Sequence, residues 1–150
     1  MSKILVVSDS HGAKKHMDEL IQKNYDYILF LGDGLKDLGV YINLNNCYCV
    51  KGNCDVFAYD FALSQTIFID GIKIFITHGH EFGVKQGTET LQTYLNNKGF
   101  KIVCFGHTHR KIIQIINDSL YLNPGAIWNG EYGEIEITKD GEINGKLFTL

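Results

Sequence analysis

The chain has 150 residues, 45% of them hydrophobic and 21% charged, with a formal net charge of −3. That length suits one domain, expected to bury roughly 68–70% of its unfolded surface without staples. The single arginine, Arg110, and the scattered lysines weigh against a nucleic-acid binder, and no apolar run approaches the ~18 residues of a membrane span.

Residues 3–8 form a β-rich apolar run that Asp9 and His11 cut too early for a secretory leader, so the chain is read as soluble and cytoplasmic. Met17, Leu20 and Ile21 stand at i, i+3 and i+4 and predict a helix over 13–23. Residues 27–31 read as a second buried strand, ended by Gly32-Asp33-Gly34, with a short helix or turn over 35–42. A third strand over 47–51 ends at Gly52-Asn53-Cys54-Asp55. Strands alternating with helices, each strand ending in a polar loop with glycine, predict a parallel α/β arrangement.

Beyond Asp60 the pattern changes. Runs 65–69 and 72–77 flank Asp70-Gly71, a strong two-residue hairpin signal. Leu91 and Leu95 support a helix over 87–97, with Gly99 as its stop. A buried strand over 102–105 ends at Gly106-His107-Thr108-His109. Residues 112–116, 119–122, 133–138 and 142–149 read as antiparallel strands, with turns at Asn117-Asp118 and Asp140-Gly141. The expected fold is α/β: two β-sheets flanked by helices, one sheet mixed and one mainly antiparallel, with residues 1–150 as a single domain. The four cysteines are too few and too irregular for a zinc ribbon or disulfide framework; Cys49 and Cys104 lie in apolar runs as core residues.

Five of the six histidines fall in the polar strand-end loops, and only His16 lies outside them. In open α/β sheets, ligands sit beyond the carboxyl ends of the strands, where these loops converge. Each block alone is weak, but their ordered joint occurrence at average composition falls below about 1 in 10,000. Imidazole nitrogens mixed with carboxylate and amide oxygens suit Mn²⁺, Fe or Zn²⁺. Seven candidate ligands exceed the needs of one ion. Two ions about 3.5–4 Å apart and sharing one carboxylate would use them all.

Asp9-x-His11, Gly32-Asp33, Gly52-Asn53, His78-Gly79 and Gly106-His107-x-His109 together resemble the calcineurin-like metallophosphoesterases. The short chain and the Gly52-Asn53-Cys54-Asp55 wording look most like the small single-domain phosphodiesterase subgroup, which includes the vacuolar sorting subunit of retromer. The resemblance implies a four-layer αββα sandwich and a binuclear metal-dependent phosphodiesterase, with a bridging hydroxide attacking phosphorus in line. It further implies that Asp9, His11 and His109 bind one ion, Asp33 bridges, and Asn53, His78 and His107 bind the other. Manganese is the first choice of metal, with iron, zinc or nickel as alternatives.

One position departs from the family. Many members carry His directly after the Asn, where this chain has Cys54, and a thiol of ordinary pKa is a poor acid near neutrality. His80 is the nearest candidate replacement, either facing phosphate oxygens or hydrogen-bonding behind a ligand. Asp55 reads first as a turn former and second as a group orienting a neighbour, Arg110 first as a solvated surface residue and second as a contact to substrate phosphate, Thr108 as structural and His16 as an exposed helix residue. With two divalent ions, a hydroxide and the carboxylates of Asp9 and Asp33, the site carries about +1, which favours a phosphodiester monoanion over a monoester dianion. The expected partner is a small-molecule phosphoester, with no membrane or nucleic acid, and a homo-oligomer stays open. The competing reading is a protein-interaction scaffold that keeps the fold and metal site with little hydrolysis. A complete ligand set favours the enzyme.

Overall fold

A computed structural model describes residues 1–150. Alternation along the strands sets its layers. In β1 (Ser2–Val7), Ile4 and Val6 join the core between two sheets, whereas Leu5 and Val7 pack against Met17 and Leu20 of α1 (Lys14–Ile21). β2 (Tyr27–Phe30) does the same, with Leu29 in the central core and Ile28 and Phe30 on the helix side. Both faces are covered, so these strands read as unbroken apolar runs. α2 (Leu35–Leu38) and a 3₁₀ turn (Gly39–Asn43) follow, and β3 (Cys47–Cys49) completes the parallel run β1-β2-β3.

The second sheet starts with the hairpin β4 (Ser64–Ile69) and β5 (Ile72–Thr77), closed at Asp70-Gly71 as the sequence predicts. α3 (Glu89–Leu95) leads to β6 (Ile102–Cys104), which pairs parallel with β5. β7 (Lys111–Ile116) and β8 (Ser119–Pro124) form the next hairpin, and β9 (Glu131–Ile137) with β10 (Ile143–Thr149) the last. The sheet orders are β10-β9-β1-β2-β3 and β4-β5-β6-β8-β7. α1 and α2 cover the outer face of the first sheet, and Leu91 and Leu95 of α3 cover Phe75 and Val103 on the outer face of the second. The result is the expected αββα sandwich.

Three expectations need correcting. Both sheets are mixed: β9 joins β1 antiparallel, while β8 inserts parallel to β6. α3 ends at Leu95, short of the expected 97, because Asn96 already leaves the helical conformation with a ψ of 133°. His16 is half-buried, its Nδ1 lying 2.9 Å from the carbonyl oxygen of Ile127, and so ties α1 to the 3₁₀ turn Ile127–Asn129. No helix is long and apolar enough to cross a membrane.

The carboxyl ends of β1, β2, β3, β5 and β6 open on one edge of the sandwich. Backbone bonds continue past the strands there, from Asp9 N–H to Gly32 O (2.9 Å) and from Gly106 N–H to His78 O (2.9 Å).

Candidate metal centre

The residues that leave these strands turn sharply. Asp9, His11, Asp33, His107 and His109 all take positive φ, between 41° and 69°. Left-handed backbone is uncommon for residues with a side chain, and Asp, Asn and His tolerate it best. Two glycines admit close approaches that no side chain would allow. A Cβ on Gly32 (φ 99°) would lie 2.5 Å from Gly52 N, and one on Gly106 would lie 2.1 Å from Ser8 Oγ and 2.8 Å from Asp9 Oδ2.

Each carboxylate is fixed by non-imidazole donors through one oxygen and turns the other toward the imidazole nitrogens. Asp9 Oδ2 accepts the Ser8 hydroxyl (2.6 Å) and the His107 N–H (3.0 Å). Asp9 Oδ1 is buried without a hydrogen bond, facing Nε2 of His109 at 3.2 Å, of His11 at 3.6 Å and of His78 at 3.8 Å. Asp33 Oδ1 accepts the Cys54 N–H (2.8 Å), while Oδ2 faces Nε2 of His78 at 3.1 Å and of His11 at 3.8 Å. The fully buried His78 points Nδ1 at the Leu31 carbonyl oxygen (2.7 Å), which directs Nε2 into the site. There it meets His107 Nδ1 at 3.2 Å.

These atoms form two groups of ligand type, Asp9-His11-His109 and Asp33-His78-His107. Asp33 also lies within a third group with His11 and Cys54, so its carboxylate stands between the two sets. A buried carboxylate oxygen with no donor, ringed by imidazole nitrogens, is a cradle for a cation. The residues therefore fit divalent metal ions.

The charges pull on one another accordingly. Burial would raise the Asp33 carboxyl, but the hydrogen bond and charge of His78 and the Cys54 N–H hold it far below the usual carboxylate range. Burial opposes charge on His78, yet the hydrogen bond to Asp33 and the negative charges of Asp9 and Asp33 win, and its pKa rises. Burial and the neighbouring His78 push His80 and His107 down. Burial and Asp33 push the Cys54 thiol up, making it a still weaker acid.

The structure thus brings Asp9, His11, Asp33, His78, His107 and His109 together. Asn53 stands exposed at the rim, its amide nitrogen 3.6 Å from Cys54 Sγ. The His80 ring lies 5.5 Å from that of His78 and 6.1 Å from that of His107, with Nδ1 buried and unpartnered. Arg110 is exposed, and Thr108 Oγ1 accepts the Arg110 N–H (3.1 Å) inside the turn, a structural role.

The sequence profile of the Calcineurin-like phosphoesterase superfamily domain matches residues 2–138. The chain belongs to that superfamily. It is 32% identical over 127 residues to a probable metallophosphoesterase, YsnB, of Bacillus subtilis, spanning 83% of this chain and 74% of the relative. It is 27% identical over 143 residues to a phosphodiesterase of Methanocaldococcus jannaschii, spanning 82% of each chain. A predicted phosphoesterase of Streptococcus pneumoniae superposes with a TM-score of 0.80 at 25% identity, covering 99% of this chain and 98% of that one. The chain is thus a phosphoester hydrolase of a family that works with divalent metal ions.

Two further residues hold this calcineurin-like centre, and the sequence hints at only one of them. Asp55 does more than form a turn: Oδ2 accepts the N–H groups of Gly52 (2.8 Å) and Asp33 (2.7 Å), and Oδ1 those of Gly34 (2.9 Å) and Leu35 (3.1 Å). One carboxylate therefore binds the Asp33 loop to the Asn53 loop. The fully buried Asn123 donates its amide to Gly106 O (3.0 Å) and Thr108 Oγ1 (2.9 Å), holding the turn that carries His107 and His109. A proximity signal existed for Asp55, two residues after Asn53. None existed for Asn123.

Proposed function

We propose that this phosphoesterase is a phosphodiesterase with a binuclear centre, held within one domain spanning residues 1–150. Asp9, His11 and His109 hold one ion, His78, His107 and Asn53 hold the other, and Asp33 bridges. The observation that carries the reading is the Asp33 carboxylate, which stands between both imidazole sets with one oxygen fixed by the Cys54 N–H and the other turned to Nε2 of His78 and His11.

Two divalent ions bound there supply Lewis-acid activation of water and of the phosphorus centre. The protein's own groups do the rest. The Leu31 carbonyl fixes the His78 tautomer, and Ser8 and the His107 N–H orient Asp9. His80, whose ring lies beside those of His78 and His107, would meet a phosphate oxygen through Nε2, because its unpartnered Nδ1 is buried. Manganese is the proposed metal, the substrate a small phosphodiester and the location the cytoplasm.

The test is hydrolysis of bis(p-nitrophenyl) phosphate by protein reconstituted with Mn²⁺, beside elemental analysis of the same sample. Close to two ions per chain and turnover abolished by chelator are expected. Two bound ions with no turnover on any phosphoester would identify the scaffold instead.

A further inference from the structure

A cavity of about 540 Å³ opens directly beside Asp33, His11 and Cys54, a size that suits a small-molecule group. Its walls are apolar: Leu35 and Ile42 on one side, Val56, Phe57 and Phe61 from the loop after Asn53 on the other. Phe57 is 74% exposed and Val56 65%, large apolar side chains on the rim with no core to fill.

The charged groups that line this cavity are not equally free. Asp55 is engaged by four backbone N–H groups, and Asp37 Oδ2 by the Ser10 hydroxyl and the Gly12 N–H (2.8 Å). Lys36 has no ion pair or hydrogen bond; its ammonium lies 5.7 Å from the centre of the Phe57 ring. The cavity therefore offers apolar walls, an aromatic edge and one unpaired cation, continuous with the residues that would face phosphate.

We infer that this cavity is the subsite for one ester group of the substrate, and that it takes a planar aromatic ring carried on the phosphoester, aryl or nucleoside. The inference rests on the phosphodiesterase reading for the position of the phosphate. With phosphate at Asp33 and His11, the ring lies against Phe57 and Phe61, where face or edge contacts reward an aromatic group over an alkyl one. Lys36 faces the acceptor atoms of a base or a substituted ring.

Titration calorimetry on Mn²⁺-reconstituted protein tests this with two pairs of probes: phenylphosphonate against methylphosphonate, and adenosine 5′-monophosphate against ribose 5-phosphate. The aromatic member of at least one pair should bind about tenfold tighter, and Phe57→Ala should reduce that ratio to about twofold or less. Val56→Ser is a second variant at an exposed position and should lower the ratio as well. A gain confined to the phenyl pair assigns an aryl ester, and a gain in the nucleoside pair a nucleoside ester. Equal affinities within both pairs, in protein that hydrolyses bis(p-nitrophenyl) phosphate, would overturn the subsite and leave the phosphodiesterase standing. A Phe57-dependent preference without hydrolysis of any diester would leave the subsite and overturn the activity. Neither binding nor hydrolysis would overturn both.

Discussion

Asp55 Oδ2 accepts the backbone N–H of Asp33 at 2.7 Å, so the carboxylate proposed to bridge the metals is placed by another carboxylate that itself faces no ligand. Three further N–H groups converge on Asp55. Replacing it by alanine leaves four donors without their acceptor, at a cost of about 3 kcal/mol. Asp55→Ala should lower the denaturant midpoint and weaken metal binding together, and Asp55→Asn, which keeps one acceptor oxygen, should sit between. A variant with wild-type stability and metal affinity would remove Asp55 from this role.

Asp33→Ala should be the most damaging single ligand change. It deletes the carboxylate shared between the two imidazole sets, and turnover should fall on the order of a thousandfold, the scale of losing a charge-stabilising group from an active site. Metal content should fall below two ions per chain by elemental analysis. Retention of both ions and near-full activity would show that the two sites do not share Asp33.

Chelation should abolish activity and spare the fold. The central core of Ile4, Val6, Leu29, Ile74, Ile76, Ile102 and Leu122 lies between the sheets and contains no ligand residue. The far-ultraviolet spectrum should therefore persist in EDTA, with a midpoint of thermal unfolding lowered by about 5–10 °C through lost binding free energy. Collapse of secondary structure on chelation would mean that metal organises the sandwich itself.

Diesters should outperform monoesters. Two divalent ions against Asp9, Asp33 and a hydroxide leave a charge that one monoanion balances, whereas a dianion overshoots. Catalytic efficiency on bis(p-nitrophenyl) phosphate should exceed that on p-nitrophenyl phosphate by about tenfold or more. Because burial and Asp33 push the Cys54 thiol away from acid function, aryl diesters should also react faster than alkyl ones. The reverse order on matched leaving groups would refute the charge argument.

The convergence of Asp9, His11, Asp33, His78, His107 and His109 was legible because each follows an apolar run that reads as a strand, so a short polar motif there lies at a sheet edge. The β4–β5 hairpin was legible for a similar reason: Asp70-Gly71 is a local signal. Sheet order was not. The parallel pairing of β8 with β6 joins strands with a hairpin partner between them, and no local periodicity carries that choice. Asp55 and Asn123 were hidden in part or whole because their partners are mainly backbone groups, which every residue possesses. The half-burial of His16 depended on where Ile127 arrives from the far end of the chain.

The left-handed backbone at Asp9, His11, Asp33, His107 and His109 constrains how this centre can change over evolutionary time. At each of these positions, one residue would answer to two demands: the proposed donation of an electron pair and the closing of a tight turn. A mutation to valine or isoleucine fails both, whereas asparagine or glycine satisfies the turn while weakening or abolishing ligation. Loss of chemistry in a descendant should therefore proceed through Asn and Gly, leaving the loops in place. The shape of the edge would outlive its reactivity, available for recognition after hydrolysis has gone.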